Sequence, residues 1–248
     1  MERGIYDHMA AHAGSHWWYV ARRRVLADVI ARHVPLPPAA HVLEIGCGTG
    51  HNLGMLGQFG AVDAVELDDH ARALASQTLG RAVLPARLPD LPPLPAERYD
   101  LIALLDVLEH VPEDRATLAA IAGRLTPGGS LLVTVPQHQW MWSSHDDANH
   151  HIRRYSKSTL RAAFAGSGLE LRMLTSFNSM LFPLAVAQRL ASRLTGREGR
   201  QDDDLPGPLN GLFTAVFGWE RHLVGRLPLP PGLSLLALAT KLPEPLRG

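Results

Sequence analysis

The chain has 248 residues, 46% of them hydrophobic, with 24 basic and 24 acidic side chains and a formal charge of zero. This length can bury a substantial core and reads as one domain with an insertion. Charge balance argues against recognition of a phosphate backbone, so no nucleic-acid partner is expected. Cys47 is the only cysteine, which excludes an intrachain disulfide. The polar, His-rich start lacks the apolar core of a signal peptide, and a cytoplasmic location is expected.

In chain order, His16-Trp17-Trp18-Tyr19-Val20-Ala21-Arg22-Arg23-Arg24 leads into Val25, Leu26, Val29 and Ile30, an apolar stripe at helical spacing. Residues 1–35 thus read as an N-terminal helical cap. Apolar runs then alternate with helical patterns, the sign of a parallel sheet with crossover helices. Strands are predicted at 41–45, 61–67, 81–84, 99–104 and 130–135. Before the last of these, Pro112 is placed as a first helical residue, with Glu113 and Asp114 in the positive first turn and Leu118, Ile121, Ala122 and Leu125 along one face. Thr126-Pro127-Gly128-Gly129 stops that helix. A further helix over 156–165 opens on Ser156 as its cap and hands over to a strand near 169–176. The final strand is Leu233 to Thr240. The expectation is an α/β fold: a doubly wound, seven-stranded, mostly parallel sheet with an α/β core over 36–176, a helical insertion over 177–232, and the last strand and tail over 233–248.

In the insertion, Met180, Leu181, Leu184, Val186 and Leu190 form an apolar patch, and Arg189, Arg193 and Arg197 recur at four-residue steps. Past an exposed loop at Gln201-Asp202-Asp203-Asp204-Leu205-Pro206-Gly207-Pro208, a second pattern groups Leu209, Leu212, Phe213, Val216, Phe217, Leu223 and Val224. No run approaches a membrane-spanning length. Three uses are open: a lid over an apolar acceptor, a homodimer interface, or a peripheral membrane surface formed by 177–226. The lid is favoured.

The stretch Val42-Leu43-Glu44-Ile45-Gly46-Cys47-Gly48-Thr49-Gly50 runs from an apolar strand into glycines at alternate positions. A dinucleotide fingerprint needs its third glycine at position 51, which is His51. Glycines without Cβ let the backbone turn tightly and approach a ligand directly. The E-x-G-x-G-x-G pattern resembles motif I of the class I S-adenosylmethionine (SAM) dependent methyltransferases. The likeness extends to Ala64-Val65-Glu66-Leu67-Asp68 at the acidic end of strand two, to Tyr99-Asp100-Leu101-Ile102-Ala103-Leu104-Leu105-Asp106-Val107-Leu108-Glu109-His110-Val111, and to Leu125-Thr126-Pro127-Gly128-Gly129-Ser130-Leu131-Leu132-Val133. It covers roughly 40–176 and returns at the last strand.

The resemblance implies S-adenosyl-L-methionine as cofactor. Glu44, Gly46, Gly48 and Gly50 would form its loop, and Glu66 would accept from the ribose hydroxyls. Where the family often has an adenine-reading acid, this chain has Arg87, so the adenine falls to backbone amides around Leu88 and to packing by Leu67. Asp106 and Val107 would line the methionine half, with a capping role competing for Asp106. Family helices before strand one commonly close over the cofactor; here Trp17 is the aromatic candidate for the sulfonium and Arg23 the candidate for the methionine carboxylate. Cys47 reads as a packing residue.

Acceptor chemistry is expected after strand five, in the His-rich run from Val135 to Tyr155. An oxygen acceptor gains from deprotonation, which makes His145 beside Asp146 or Asp147 the first candidate base and His151 the second. The His-x-Arg-Arg-Tyr run at 151–155 resembles a stretch found in a bacterial branch of the family. No histidine pair of helical ligand spacing appears, so no metal is expected. The bland alternative joins Asp146, His151, Arg153 and Tyr155 in a hydrogen-bonded corner. The reading is therefore a methyltransferase acting on a small, partly apolar acceptor, with oxygen favoured. The alternatives are a non-catalytic SAM-binding partner or regulatory protein, or N- or C-methylation of a lipid-linked or natural-product substrate.

Overall fold

A computed structural model describes residues 3–195 and 205–242. Arg197 and the acidic part of the expected exposed loop, Gln201 to Asp204, lie outside the described residues. Two helices come first, α1 (Arg3–His12) and α2 (Trp17–His33). They precede β1 (His41–Ile45), a short α3 (Leu53–Leu56), β2 (Ala61–Val65) and α4 (Asp69–Leu79). Next come β3 (Tyr99–Leu105), α5 (Asp114–Arg124), β4 (Leu125–Pro136), α6 (Ser144–Ala148), α7 (Lys157–Phe164) and β5 (Leu169–Phe177). The insertion supplies α8 (Phe182–Thr195) and α9 (Gly207–Trp219), and β6 (Ser234–Lys241) closes the sheet.

The sheet has six strands in the order β2-β1-β3-β4-β6-β5. The first four are parallel, and β6 runs antiparallel between β4 and β5. Seven strands were expected. The missing one, at 81–84, is reduced to a single parallel bridge between Val65 and Leu84. Its cause is local: Pro85 follows Leu84 and has no N–H to extend the ladder, and Pro89, Pro92, Pro93 and Pro95 keep the next stretch out of the sheet.

Both faces of the sheet are covered, as a parallel sheet requires. One core layer joins Val25, Leu26, Val29 and Ile30 of α2 to Val42, Leu101 and Leu132 of the strands and to Phe217 of α9. The other packs Leu118 and Ile121 of α5 and Leu160 and Phe164 of α7 on Leu43, Ile102, Leu131 and Leu235. Ser156 caps α7 by accepting from the Thr159 amide at 3.1 Å, as the sequence predicts. The helix expected from Pro112 starts instead at Asp114. There the Pro112 carbonyl accepts from the Arg153 guanidinium at 3.0 Å, and Asp114 accepts from Arg153 and Tyr155, so tertiary partners set the boundary.

Among the described residues, no helix is long and apolar enough to cross a membrane.

Candidate active site

A cavity of about 1980 Å³ opens above the carboxyl ends of the parallel strands. This is the edge at which doubly wound sheets carry their ligands. One wall is made by the β1–α3 loop and the end of β2. Gly46, Gly48 and Gly50 all take positive φ, 69°, 54° and 85°. A Cβ on Gly46 would meet Val107 Cγ2 at 2.6 Å, and one on Gly50 would meet Leu53 Cδ1 at 2.9 Å. Both positions need glycine for two reasons at once, conformation and space.

Glu66, almost buried, lies on this wall. Its carboxylate accepts from the Gly48 amide at 2.8 Å and from the Asp68 amide at 2.9 Å, which uses one lone pair on each oxygen. The carboxylate thereby fixes the glycine loop and keeps acceptor capacity on the cavity side. Leu67, half-exposed, and Leu88 line the same region with Val107. A bare glycine backbone, a rim carboxylate with spare acceptor capacity and apolar neighbours together fit an adenosine-bearing cofactor.

Glu44 behaves differently. It is buried beneath the loop, is not among the cavity-lining residues, and accepts from Asn52 Nδ2 at 2.8 Å. Burial pushes its carboxyl pKa up to about 8. The structure places it as a support of the Asn52 turn. Burial also raises the Cys47 thiol, in keeping with a packing role.

The amino-terminal helices form the roof. Trp17 lines the cavity and packs edge-on against Phe213 and Phe217 of α9, with centroids 5.5 and 6.2 Å away. Arg23, the arginine proposed for the cofactor, turns away and donates to the Ala13 carbonyl at 2.6 Å. Arg22 faces the cavity in its place. It is buried, lies over the Trp18 ring at 5.0 Å, and donates to Asp106 Oδ2 and Thr134 Oγ1, both at 2.7 Å. Asp106 also accepts from Thr134 and sits at φ 57°, so its side chain is held over the sheet end by two partners and caps no helix. α1 lies within the expected helical cap, and it brings to the cavity Tyr6 and Met9, which sequence reasoning did not single out; Met9 Sδ lies 3.5 Å from where a Gly48 Cβ would stand. The spacing of Tyr6, Met9 and Ala13 was the available helical signal.

The opposite wall comes from the segment after β4. Asp146, fully buried, accepts from Arg154 Nε and Nη2 at 2.7 and 2.9 Å, from the Ser143 amide at 2.9 Å, and pairs with His151 Nδ1 at 2.8 Å. Burial would raise its pKa, but the His151 and Arg154 hydrogen bonds outweigh burial and hold it well below the usual carboxylate range. The histidine aligned by Asp146 is thus His151, where His145 was expected. His145 is exposed on α6, lines the cavity, and stands edge-on to His151 with centroids 6.5 Å apart. Asp147 accepts from Trp142 Nε1 at 2.9 Å. The expected single corner is two: Asp146 with His151 and Arg154, and Asp114 with Arg153 and Tyr155.

The residues least legible in the sequence sit between the walls. Glu109 is completely buried and neither of its carboxylate oxygens has a hydrogen-bond partner. Its pKa is raised well above the usual value by burial and then by Asp106. His110, pushed down to about 4 by burial, stands edge-on to His151 at 4.7 Å. The insertion completes the enclosure: Leu181, Leu184, Ala185, Gln188, Arg189 and Ser192 line the cavity.

A methyltransferase-domain family model matches residues 18–174. The chain is 32% identical over 213 residues to a ubiquinone biosynthesis O-methyltransferase of Xanthomonas campestris pv. campestris, covering 75% of this chain and 88% of that protein. It is 29% identical over 148 residues to a trans-aconitate 2-methyltransferase of Azoarcus sp., covering 59% of this chain and only 56% of that relative's length. Among solved structures, the methyltransferase complexed with the Haloferax volcanii Trm112 activator superposes with a TM-score of 0.63 at 19% identity, covering 98% of both chains. A SAM-dependent methyltransferase of Archaeoglobus fulgidus gives 0.53 at 15% identity, covering 88% of this chain and 94% of the other. The chain belongs to the methyltransferase-domain family and has the SAM-binding class I methyltransferase fold.

Proposed function

We propose that this protein transfers a methyl group to an oxygen of a small, partly apolar acceptor. The observation that carries this reading is the shared cavity: the Gly48–Glu66 wall and the His145–His151 wall line one and the same open cleft. SAM supplies the activated methyl group. In this reading Glu66 takes the ribose hydroxyls through its spare lone pairs, Leu67 and Leu88 flank the adenine, and Asp106, steadied by Arg22, lines the methionine half. Placing donor and acceptor in one orientation accounts for much of the rate in such transfers.

His145, exposed to the cavity, takes the acceptor's proton. His151 is less suited to that task, because its Nδ1 is committed to Asp146 and its Nε2 is turned toward Glu109, 3.9 Å away. The apolar side of α8 lies over the acceptor as a lid, in line with its lining residues Leu184 and Ala185 and with Leu181 just before it. Oxygen acceptors, of the kind named for the ubiquinone-biosynthesis O-methyltransferase relative, set the first panel to test.

The test is product analysis by mass spectrometry after incubation with SAM and a panel of phenols, catechols, carboxylic acids and amines. A methylated oxygen product that falls at least about tenfold in His145→Ala, with SAM affinity retained, is expected. SAM binding with no methylated product from any acceptor would favour a non-catalytic SAM-binding protein, and a product methylated on nitrogen would overturn the oxygen assignment.

A further inference from the structure

Glu220, in the turn that follows α9, is fully buried, yet it lies outside the cavity and neither wall uses it. Its Oε1 accepts from the Met180 amide at 2.7 Å, and the Asn178 and Ser179 amides stabilise the same carboxylate. We propose that Glu220 is a positioning residue for acceptor binding: by holding the backbone where β5 ends, it sets the direction in which α8 leaves the sheet and so the width of the acceptor side of the cavity. The acceptor half rests on the reading of α8 as a lid. The hold on the backbone stands without it.

Three observations converge. First, α8 has no buried side chain, so core packing does not fix where it lies. Its cavity-lining residues, Leu184, Ala185, Gln188 and Ser192 among them, are placed by what happens at its two ends. At the far end Arg193 donates to the Trp140 carbonyl at 2.5 Å, a contact on the rim of the acceptor wall.

Second, the near end is stiff. Asn178 is fully buried at a φ of 54°, its carbonyl accepts from the Leu233 amide at 3.3 Å, and Ser179 Oγ donates to the Pro230 carbonyl at 2.9 Å. Amides of successive residues around a left-handed position form a concavity for an anion, filled here by the chain's own carboxylate. Burial makes a carboxylate costly unless such donors meet it, so Glu220 and these amides hold one another in place.

Third, the turn that carries Glu220 is itself anchored. Arg32 of α2 donates to the Arg221 and Val224 carbonyls at 2.6 and 3.3 Å. Glu220 thus transmits the position of α2 to the root of α8. The leverage is large: a helix of 14 residues is about 21 Å long, and a tilt of about 10° at its root carries its far end roughly 4 Å, about one atomic layer.

The test compares wild type, Glu220→Met and Glu220→Gln by hydrogen exchange of the full chain, with SAM calorimetry as the check of folding. Methionine keeps the length of the side chain and removes the acceptor; glutamine restores an acceptor oxygen. Exchange across 178–195 should quicken about tenfold or more in Glu220→Met, with β4 and β6 unchanged, and glutamine should recover most of the protection. With an acceptor that the wild type methylates, KM should rise about tenfold in Glu220→Met while kcat stays within about twofold. Should that variant fail to bind SAM, Glu220→Asp, which draws the carboxylate back by one methylene, takes its place with the same expectations. Exchange that stays at the wild-type rate, spreads into β4 and β6, or is as fast with glutamine as with methionine would overturn the hold on α8. Loosening confined to 178–195 with KM unchanged would remove the acceptor half. If no acceptor is methylated, the methyl-transfer reading and the acceptor half fall together, and exchange still decides the hold on the backbone.

Discussion

On the donor side of the cavity the chain offers backbone: Gly46, Gly48 and Gly50 at positive φ, with Glu66 holding the Gly48 amide. On the acceptor side it offers charged side chains, with Asp146, Arg154 and His151 locked together and Glu109 buried beside them. A backbone wall has few ways to vary and suits a fixed ligand. A wall of buried charges is set by pairings that a single substitution can rearrange, and it suits the partner that differs between enzymes of one fold.

The largest effect should come from breaking the charged wall. Asp146→Ala leaves the largely covered Arg154 guanidinium, 10% exposed, without its carboxylate and should lower unfolding stability by about 3 kcal/mol in denaturant titration. If the loss is below about 1 kcal/mol, the wall is not held by this pair. The Asp146 contribution is fully present above the unfolded carboxylate pKa near 4 and should fade as pH falls from there through the depressed folded value.

Next is the backbone wall. Gly46→Ala places a methyl 2.6 Å from Val107 Cγ2 at a φ of 69° and should weaken SAM binding about 100-fold by calorimetry, with a smaller loss of stability. Gly46→Ala combined with Val107→Ala removes the clash and leaves the φ strain. Recovery of most of the affinity would assign the defect to space, and no recovery would assign it to conformation.

Glu44 sharpens the comparison, since it is a buried carboxyl beneath the donor wall. Its folded pKa of about 8 lies above the unfolded value, so the native state binds the extra proton and stability should fall as pH rises from about 4.5 to 8. Glu44→Gln should flatten that slope in thermal melts taken across the same range. A slope unchanged from the wild type would show that Glu44 is not its source.

The smallest effect belongs to α8, the first helix of the insertion. No side chain of α8 is buried, and Leu190 and Leu194 are exposed, whereas α9 buries Phe217 and Gly218. Leu190→Gln with Leu194→Gln should change stability by no more than about 0.5 kcal/mol per site. Phe217→Ala should cost about 3–5 kcal/mol. A large loss from the α8 pair would show that this helix carries packing the exposed leucines do not suggest.

The donor wall was legible because its chemistry is contiguous: strand, glycines and the acid at position 66 follow local rules of turn and register. Even there the sequence did not tell that Arg22 would line the cavity while Arg23 bonds the Ala13 carbonyl, since the helical phase that separates them is fixed only when α2 docks on the sheet. The acceptor wall was legible in composition alone. Glu109 and His110 follow β3 while His151 lies beyond β4, and the parallel pairing of these two strands brings the segments together. Spacing along the sequence cannot reveal a cluster assembled across a sheet edge. The third expected strand failed for a local reason, the proline at 85, that the apolar run before it outweighed.

The first turn of α2 has a further consequence. Its Trp17 amide is satisfied by Asn210 Oδ1 of α9 at 2.8 Å, and Asn210 Nδ2 returns a bond to the Ser15 carbonyl at 3.0 Å. These partners are 193 and 195 residues apart, so the long-loop closure entropy of each contact is offset by the intervening sheet, which holds the two segments side by side. The cavity's roof is therefore tied to the insertion at two levels, by the paired asparagine bonds at its edge and by the packing of Trp17 on Phe213 and Phe217 behind them.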